Sequence, residues 1–600
     1  MDLELHGPEP TEDERAAIDA AIGPPVDDAR SVVGVAEAAR RRPLLLPALH
    51  AAQARVGWVS PGALAYVSRR LHVPPAEAYG VASFYALYAL HPRARSIAHV
   101  CDDIGCKARG ADALCDELGA RLGPAGSQHG GAGWMRSPCL GLCEQAPVAL
   151  IQHAGAPARE GALGEATADR IVQALGETER TPEAAPAVVH QDRASLTLLA
   201  RVGLVDPTSL DDYRARGGYR ALRRALDRGG ASVLHELSVA KLAGRGGAAF
   251  PTARKWQAVA AQPARPHYVV CNADESEPGT FKDRVLMEQD PFAVIEGVTL
   301  AAFATASEKA YLYVRAEYPL AAARLQNAID LARSRGFLGD DVLGRGVKVD
   351  IEIRRGAGAY ICGEETALLS SIEGHRGEPR NKPPFPVEIG LFGKPTAINN
   401  VETLCAAVAI VADSGAAWAA VGTPDSTGTR LFCVSGHVGR PGVYELPMGE
   451  RLSTLLDLAR AERVSAVLLG GAAGAFLGPD ELDVPLSFEG TRAIGATLGS
   501  GVVMVLREGT ELLPYLRRMA AFFRDESCGQ CVPCRVGTVR VEELLARAAL
   551  RGPTADDRAL LSDLSQVMRD ASICGLGQTA TSALDSAVKR RLALVDGGAT

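Results

Sequence analysis

The sequence predicts a multidomain α/β and α+β protein. Apolar runs at 268–271, 310–315 and 348–353 have the character of buried strands separated by helices, which is typical of a parallel or mixed sheet with helical cover. Short glycine-rich strands follow this region, and helical patterns occupy both ends of the chain. With 600 residues, the chain has room for about four domains.

The composition argues against nucleic-acid binding and membrane insertion. The net charge is −7 with both signs spread along the chain, whereas a nucleic-acid partner favours a basic patch. The longest uncharged apolar run, at about 464–479, holds four glycines and is too short to span a bilayer. Because the N-terminus lacks an export pattern, we expect a cytoplasmic protein whose 13 cysteines stay reduced and serve metal or redox chemistry.

Periodicity and composition divide the chain into seven segments. In the second segment the helical pattern begins at 33–39, and helices are expected at 44–52, 62–71 and 76–90. The predicted segments are a loose N-terminal extension (1–30), a helical subdomain (31–95), a cysteine-bearing domain with strands (96–176), a polar linker (177–199), an α/β domain (200–428), a small α+β module (429–510) and a helical C-terminal domain (511–600).

Four cysteines in the last segment have the spacing of a [4Fe–4S] site. Cys528, Cys531 and Cys534 sit three residues apart, and Cys574 follows at a distance. Three thiolates from one loop plus a distant fourth are a common way to hold such a cluster. A structural zinc site is the alternative, although zinc usually takes two separate cysteine pairs or cysteine with histidine.

A second four-cysteine set lies in the segment 96–176. Cys101 and Cys106 form one pair, Cys139 and Cys143 form the other, and each pair lies beside a predicted strand. Four thiolates from two loops match the ligand count of a [2Fe–2S] cluster. Zinc stays open here, because its cysteine pairs have similar spacing.

Two loops of the α/β domain have the composition of ligand sites. Gly244, Gly246 and Gly247 let backbone N–H groups approach a phosphate, although an ordinary turn explains them as well. The second loop, at 272–283, crowds acids and amides directly after a strand, where α/β proteins bind ligands. A solvated acidic turn is the alternative interpretation of that loop.

A third loop runs from a strand through glycines into a helix that opens with two acids, Glu364 and Glu365. These acids could simply complement the helix dipole. The alternative is that they bind ribose hydroxyls or a nicotinamide amide.

Residues 200–600, which include these loops, resemble the NADH-binding flavoprotein subunit of respiratory complex I. The resemblance runs in order through GRGGAAFPTARKW, NADESEPGTFKDR, GAGAYICGEETALL, KPPFP, INNVET, ESCGQCVPC and SICGLGQ. Residues 30–176 resemble the thioredoxin-like [2Fe–2S] subunit that pairs with it. The resemblance implies a Rossmann-like FMN/NAD(H) domain, a ubiquitin-like (β-grasp) module and a helical [4Fe–4S] domain, fused to a thioredoxin-like [2Fe–2S] domain.

The same resemblance implies roles for individual residues. The cofactors would be FMN, NAD(H), one [4Fe–4S] cluster and one [2Fe–2S] cluster. Glu364 and Glu365 would be the candidate catalytic residues, with Glu364 beside the isoalloxazine and ribityl of the flavin and Glu365 at the nicotinamide end. The remaining implied cofactor-binding residues are Gly244, Arg245, Gly246, Gly247, Phe250, Lys255, Asn272, Asp274, Ser276, Tyr360, Gly363, Lys382, Phe385, Asn399 and Asn400. The implied iron ligands are Cys101, Cys106, Cys139, Cys143, Cys528, Cys531, Cys534 and Cys574.

Fusions of this kind resemble the β subunit of NAD-dependent molybdenum or tungsten formate dehydrogenases and the diaphorase subunit of NAD-reducing hydrogenases. Two observations favour the formate dehydrogenase group. The chain retains all four N-terminal cysteines, and it contains the segments DDYRARGGY and MRDASICGLGQ. The expected partner is its catalytic α subunit, which itself carries Fe–S clusters, in a hetero-oligomer. Hydrogenase and complex I partners stay open, as do a zinc-stabilised scaffold without turnover and a standalone NADH-dependent reductase.

Overall fold

The computed structural model describes residues 7–24 and 40–594. The helical pattern expected at 33–39 lies outside these ranges. Along the described chain, helices are followed by a five-stranded sheet, a four-stranded sheet, a second five-stranded sheet and a final group of helices. Within the described ranges, no helix is long and apolar enough to cross a membrane.

The first helices correct the expectation of a loose lead-in. A capping box between Thr11 and Glu14 opens a regular helix, and its Ile18 and Ile22 are buried. The capping box satisfies the first N–H groups and the isoleucines supply an apolar face, so the segment folds instead of staying irregular. The helices of this region are α1 (Glu12–Ile22), α2 (Leu45–Val56), α3 (Pro61–Leu71) and α4 (Pro75–Ala82).

The helix expected at 76–90 is shorter than predicted. It ends at Ala82, and the N–H groups of Ala86 and Leu87 then donate to the carbonyls of Gly358 and Ala357, each at 3.0 Å. The backbone therefore gives up its helical hydrogen bonds for partners in the α/β domain, which no local pattern could indicate.

The first sheet brings both N-terminal cysteine loops to one edge. Its order is β2-β3-β1-β4-β5, with β1 parallel to β3, so the ends of these two strands, Cys101 and Ser137, lie side by side. The elements are β1 (Ser96–Cys101), β2 (Gln128–His129), β3 (Ala132–Ser137), β4 (Ala149–His153) and β5 (Arg159–Leu163), with α5 (Ile104–Lys107), α6 (Ala111–Leu122) and α7 (Ala168–Gly176).

The second sheet is fully parallel, in the order β8-β7-β6-β9. β7 lies on one side of the central strand β6, and β9 lies on the other. Open α/β sheets bind ligands at such a reversal of strand order, beyond the carboxyl ends of the strands. The strands are β6 (Tyr268–Ala273), β7 (Lys309–Val314), β8 (Asp350–Arg355) and β9 (Thr396–Asn400). The helices are α8 (Leu210–Ala215), α9 (Arg220–Arg228), α10 (Gly230–Val239), α11 (Thr252–Ala260), α12 (Lys282–Gln289), α13 (Pro291–Thr305), α14 (Pro319–Ser334), α15 (Glu365–Ile372), α16 (Val401–Ala412) and α17 (Gly415–Ala419).

The third sheet is mixed, in the order β11-β10-β14-β12-β13, and the last helices pack beside it. The N–H of Phe476 in this sheet donates to the hydroxyl of Ser586 at 2.8 Å, which joins the module to the final helix. The elements are β10 (Thr429–Gly436), β11 (Gly442–Pro447), α18 (Leu452–Leu458), β12 (Val464–Leu469), β13 (Ala475–Leu477), α19 (Phe488–Ala493) and β14 (Val502–Arg507), then α20 (Leu513–Asp525), α21 (Val532–Arg551), α22 (Ala555–Ala571), α23 (Gly575–Thr579) and α24 (Ser582–Lys589).

A buried carboxylate fixes the helices that cover the parallel sheet. Glu296 of α13 is fully buried and accepts hydrogen bonds from the Tyr213 hydroxyl at 2.5 Å and from the N–H groups of Tyr219 and Leu222 at 2.7 and 3.0 Å. Replacing it with alanine leaves three donors buried without an acceptor.

We expect Glu296→Ala to lower the unfolding free energy by about 3 kcal/mol or more, because each stranded donor keeps its desolvation cost. The measurement is the urea midpoint of the first unfolding transition. Glu308→Ala, at an exposed position, is the matched control and should leave that midpoint unchanged. Equal midpoints for the two variants would contradict the assignment.

Candidate functional site

The carboxyl edge of the parallel sheet opens into a cavity of about 440 Å³. Three parts of the chain build its wall. The α/β domain contributes Arg245, Gly246, Gly247, Ala248, Asn272, Asp274, Glu275, Ser276, Glu277, Thr280, Lys282, Asp283, Tyr360, Ile361, Gly363, Glu364 and Asn400; the module contributes Gly470, Ala473, Thr497, Gly499 and Ser500; the C-terminal helices contribute Gly575, Leu576 and Thr579.

The glycine loop presents its backbone to this cavity. A Cβ on Gly246 would lie 3.1 Å from the Cβ of Asn400, and Gly247 has a φ of +120°, so both positions favour glycine. Within the described part of the chain, the N–H groups of Gly246, Gly247 and Ala248 have no hydrogen-bond acceptor. Unpaired N–H groups on a glycine loop suit an anionic ligand such as the phosphate of a flavin nucleotide.

Arg245 anchors the glycine loop from behind. Its guanidinium is buried and donates to the carbonyls of Thr427 and Thr429, and its N–H donates to Thr403. Burial lowers the pKa of Arg245 to about 10. Although Arg245 borders the cavity, its charged end holds the loop against the neighbouring module.

The acidic loop after β6 forms the floor of the cavity. Asn272 donates to the carbonyl of Gly363 at 2.9 Å, and the Ser276 hydroxyl donates to Asp274 Oδ2 at 3.1 Å. Burial raises the pKa of Asp274 to about 8 and that of Glu275 to about 8, so both carboxyls are largely protonated at neutral pH. The floor of the cavity is therefore polar without a large negative charge.

Glu364 and Glu365 lie at the start of α15, beside two lysines. Glu364 caps the helix by accepting from the N–H groups of Thr366 and Ala367, and it also pairs with Lys382 at 2.9 Å. Glu365 pairs with Lys382 at 3.0 Å and with Lys255 at 3.6 Å. Burial raises the pKa of Glu365, but these two lysines outweigh it and hold the pKa below its usual range.

Some predicted cofactor residues are engaged by structural partners. Asn399 accepts a hydrogen bond from the indole of Trp256 at 2.7 Å, and Asn400, which borders the cavity, also caps α16. Phe250 and Phe385 are 48% and 50% exposed, and no ring contact joins them. In the structure these two predicted cofactor-binding residues are therefore separate, half-exposed rings.

The four C-terminal cysteines come together where two helices begin. Cys531 and Cys574 lie directly before α21 and α23, and the backbone of Leu576 and Gly577 is close enough to the Cys574 thiol to favour its ionised form. The Cys534 thiol interacts electrostatically with Cys528, Cys531 and Cys574. Four adjacent thiols beside such backbone groups fit a [4Fe–4S] cluster, which this loop would hold.

The four N-terminal cysteines are also adjacent, and all are buried. The sulfurs of Cys139 and Cys143 lie 3.4 Å apart, and Cys101 contacts both Cys106 and Cys139. Within the described ranges, no group of His, Cys, Asp or Glu side chains converges as a single metal ion requires. A two-iron cluster distributes its thiolates over two metals, so the adjacency of these four thiols fits it.

Sequence reasoning missed several residues of the site. The motifs quoted above all lie outside the module 429–510, yet Thr497 and Ser500 border the cavity. Glu526 accepts the N–H of Tyr360 at 2.7 Å, and burial raises its pKa to about 7. Thr497 and Ser500 are ordinary residue types without a motif, whereas Glu526 opens the ESCGQCVPC motif; the place of all three depends on packing between domains.

The architecture defines a flavin-binding iron–sulfur oxidoreductase, and comparisons with known proteins agree. Residues 237–409 match the Nuo51 FMN-binding domain, 34–176 the thioredoxin-like [2Fe–2S] ferredoxin, 514–591 the NADH-ubiquinone oxidoreductase-F iron–sulfur binding region, and 431–461 the SLBB domain. These matches favour iron clusters over zinc at both cysteine sets. The cofactors are FMN, one [2Fe–2S] cluster and one [4Fe–4S] cluster, with NAD(H) as the substrate.

The relatives are subunits of larger enzymes. An NADH-quinone oxidoreductase subunit of Rhizobium meliloti (strain 1021) is 43% identical over 398 residues, covering 65% of this chain and 94% of its own length. The HndC subunit of the NADP-reducing hydrogenase of Solidesulfovibrio fructosivorans is 40% identical over 66% of this chain and 81% of its own. The chain belongs to the family of the FMN-binding subunit of NADH-quinone oxidoreductase, and it is an NAD-dependent oxidoreductase.

One solved structure is similar over nearly the whole chain. A chain of the NAD⁺-reducing [NiFe]-hydrogenase in its H₂-reduced state superimposes with a TM-score of 0.80 at 35% identity, covering 91% of each chain. This similarity extends the match to the fused thioredoxin-like segment, beyond the 65% of the chain that the Rhizobium meliloti relative covers. The Rhizobium meliloti and Solidesulfovibrio fructosivorans relatives are both named as subunits of larger enzymes.

The raised pKa of Asp274 predicts a pH-dependent stability in the flavin-free protein. An unfolded aspartate loses its proton near pH 4, whereas folded Asp274 keeps it to about pH 8. Between about pH 4 and pH 8 the unfolded state therefore binds fewer protons than the folded state. The free energy of unfolding falls as pH rises through this range, by at most about 1.4 kcal/mol per pH unit.

We expect Asp274→Asn to flatten this decline, measured as the melting temperature against pH. Asp425→Asn, at an exposed position, is the matched control and should follow the wild-type curve. A wild-type slope retained in Asp274→Asn would overturn the prediction.

Proposed function

We propose that this chain is the NAD(H)-reacting diaphorase subunit of an NAD-dependent formate dehydrogenase. The diaphorase part of this proposal rests on one observation, which is that the cavity and the loop with the C-terminal cysteines share part of a wall. Gly575 and Leu576 line the cavity, and they follow Cys574 directly in sequence. A flavin in this cavity would lie beside a cluster ligand, where electrons can pass between them.

Bound FMN supplies the exchange between two-electron hydride chemistry and one-electron transfer. The chain's own residues bind and orient the reactants. The N–H groups of Gly246 and Gly247 bind the flavin phosphate, and Asn272 with Ser276 holds the flavin edge. Glu365, positioned by Lys255 and Lys382, orients the nicotinamide end.

An apolar helix face beside the cluster loop supports a docked subunit over a standalone reductase. Val532 and Val536 are 59% and 45% exposed on α21, one turn apart, and they flank the ligand Cys534. Large exposed aliphatic side chains at such a point suit a protein interface. We assign this face to the subunit that exchanges electrons with Cys528, Cys531, Cys534 and Cys574.

The partner we propose is a molybdenum or tungsten formate dehydrogenase α subunit with Fe–S clusters, located with this chain in the cytoplasm. Retention of Cys101, Cys106, Cys139 and Cys143 supports it, together with the MRDASICGLGQ motif. The DDYRARGGY motif supports it less, because Tyr213 and Tyr219 serve the buried carboxylate of Glu296. A hydrogenase partner is the second candidate, favoured by the structural match over 91% of both chains.

Metal analysis of the native complex, purified through a tag on this chain, separates the candidates. We expect iron together with molybdenum or tungsten, and formate-dependent reduction of NAD⁺ in the same sample. Nickel in place of molybdenum or tungsten would replace the proposal with a hydrogenase. Iron alone would indicate a complex I-like assembly.

Cys531→Ala tests the electron exit. We expect the variant to bind FMN and to bleach it with NADH, but to lose the [4Fe–4S] electron paramagnetic resonance signal and NADH-dependent reduction of the partner. Cys115→Ala, which removes a buried thiol outside both cysteine sets, is the matched control and should keep both. Normal reduction of the partner by Cys531→Ala would refute the assignment of this exit.

A further inference from the structure

The second ligand loop of the [2Fe–2S] site rests on buried arginines of the flavin domain. Arg315, which follows β7, donates to the carbonyl of the ligand Cys139 at 2.7 Å. Arg284 of α12 donates to the carbonyl of Gly141 in the same loop at 2.8 Å. Both arginines are at most 2% exposed, so these contacts lie in a medium where charge acts strongly.

The flavin domain also reaches the ligand sulfur itself. The backbone of Gly279 and the guanidinium of Arg315 are both close enough to the Cys139 thiol to favour its ionised form electrostatically. Gly279 belongs to the acidic loop that forms the cavity floor. Hydrogen bonds and positive charge at a ligand sulfur are among the factors that set a cluster's reduction potential.

Two other arginines near the cluster, the half-buried Arg518 and the buried Arg284, are more fully neutralised. Arg518 of α20 pairs with both Asp102 at 3.0 Å and Asp103 at 3.6 Å. Arg284 pairs with Glu144 and with Glu288. Each of these arginines thus faces two carboxylates.

Arg315 pairs with a single carboxylate, that of Glu317, at 2.8 Å. The same Nη2 that contacts Glu317 also donates to the Cys139 carbonyl, so the guanidinium lies directly between the carboxylate and the ligand loop. Among the three arginines, Arg315 is the least compensated positive charge at the cluster.

We propose that Arg315 sets the reduction potential of the [2Fe–2S] cluster from outside the cluster's own domain. Reduction adds one electron, and hence one negative charge, to a cluster already held by four thiolates. A buried guanidinium at Cys139 stabilises that added charge and raises the potential. The inference depends on the [2Fe–2S] cofactor and is independent of which partner supplies electrons.

The arrangement also gives the cluster a physical link to the flavin cavity. Arg315 donates its Nη1 to the carbonyl of Glu275 at 2.6 Å, and Glu275 lines the cavity. One side chain therefore contacts both the cavity wall and the ligand loop. Its charge favours holding an electron on the [2Fe–2S] cluster when the flavin is reduced.

The test is an electron paramagnetic resonance redox titration of both clusters in the holoprotein. In Arg315→Gln we expect the one-electron reduction equilibrium of the [2Fe–2S] cluster to shift at least tenfold toward the oxidised form, which is a fall of about 59 mV. The [4Fe–4S] potential in the same sample should not move, which makes it the internal control.

For a second variant we expect the [2Fe–2S] potential to shift in the opposite direction. Glu317→Gln removes the carboxylate that compensates Arg315 and should raise the [2Fe–2S] potential. If Arg315→Gln does not retain the [2Fe–2S] cluster, the direction of the potential shift in Glu317→Gln tests the proposal instead. Arg201→Gln, which breaks a comparable arginine–carboxylate pair with Asp290 at 2.8 Å, is the matched control and should leave both potentials unchanged.

Three results would overturn the proposal. They are an unchanged [2Fe–2S] potential in a cluster-containing Arg315→Gln, an unchanged or lowered potential in Glu317→Gln, and equal shifts of both clusters. A shift of the same size in Arg201→Gln would assign the effect to general loosening of the domain instead of charge. None of these results bears on whether formate is the electron source.

Discussion

The rest of the structure depends on buried polar groups that lie behind the flavin cavity, among them an arginine that reaches into the thioredoxin-like domain. Glu275 and Arg315 are 7% and 2% exposed. Glu275 accepts the N–H groups of Asp283 and Arg284, and Arg315 bonds the carbonyls of Glu275 and Cys139. Separating the thioredoxin-like domain would take the Cys139 carbonyl away from the buried Arg315 guanidinium, and a buried charge that loses a partner keeps its desolvation cost. The domains therefore dock in one arrangement.

That docking builds the cavity from three parts of the chain. The module can form its wall of the cavity because glycines allow its backbone to pack closely. A Cβ on Gly471 would lie 2.4 Å from the carboxyl of Glu277, and a Cβ on Gly499 would lie 2.0 Å from the carbonyl of Gly470. A side chain at Gly471 would push the module away from the acidic loop, and a side chain at Gly499 would displace Gly470 within the module; either change would disturb one wall of the cavity.

The protonation of the cavity acids matches an anionic cofactor. Burial raises the pKa values of Asp274 and Glu275 to about 8 and that of Glu526 to about 7. Carboxyls that keep their protons can donate hydrogen bonds and do not repel a phosphate or a reduced flavin. The lysine-paired Glu365 is held ionised, so acids of different charge state lie within one site.

The sequence by itself determined the cofactors and the order of the domains. The cysteine spacings at 101–143 and 528–574, the glycine loop at 244–247 and the strand pattern at 268–353 are local features that narrowed the classes of ligand, and the resemblance to the complex I subunits implied FMN, NAD(H) and the two iron–sulfur clusters. It also placed most strands of the parallel sheet correctly. It could not end the helix at Ala82 or build α1 into the core, because their partners are distant in sequence.

The tertiary structure alone decided which side chains share a site. Arg245 and Asn399 carry motif positions, yet packing turns their polar ends to Thr427 and Trp256. Thr497 and Ser500 have no motif, yet they border the cavity. The contact between Arg315 and Cys139 spans 176 residues. Burial and charge pairing across such separations depend on the folded arrangement of all domains, and a linear pattern does not contain them.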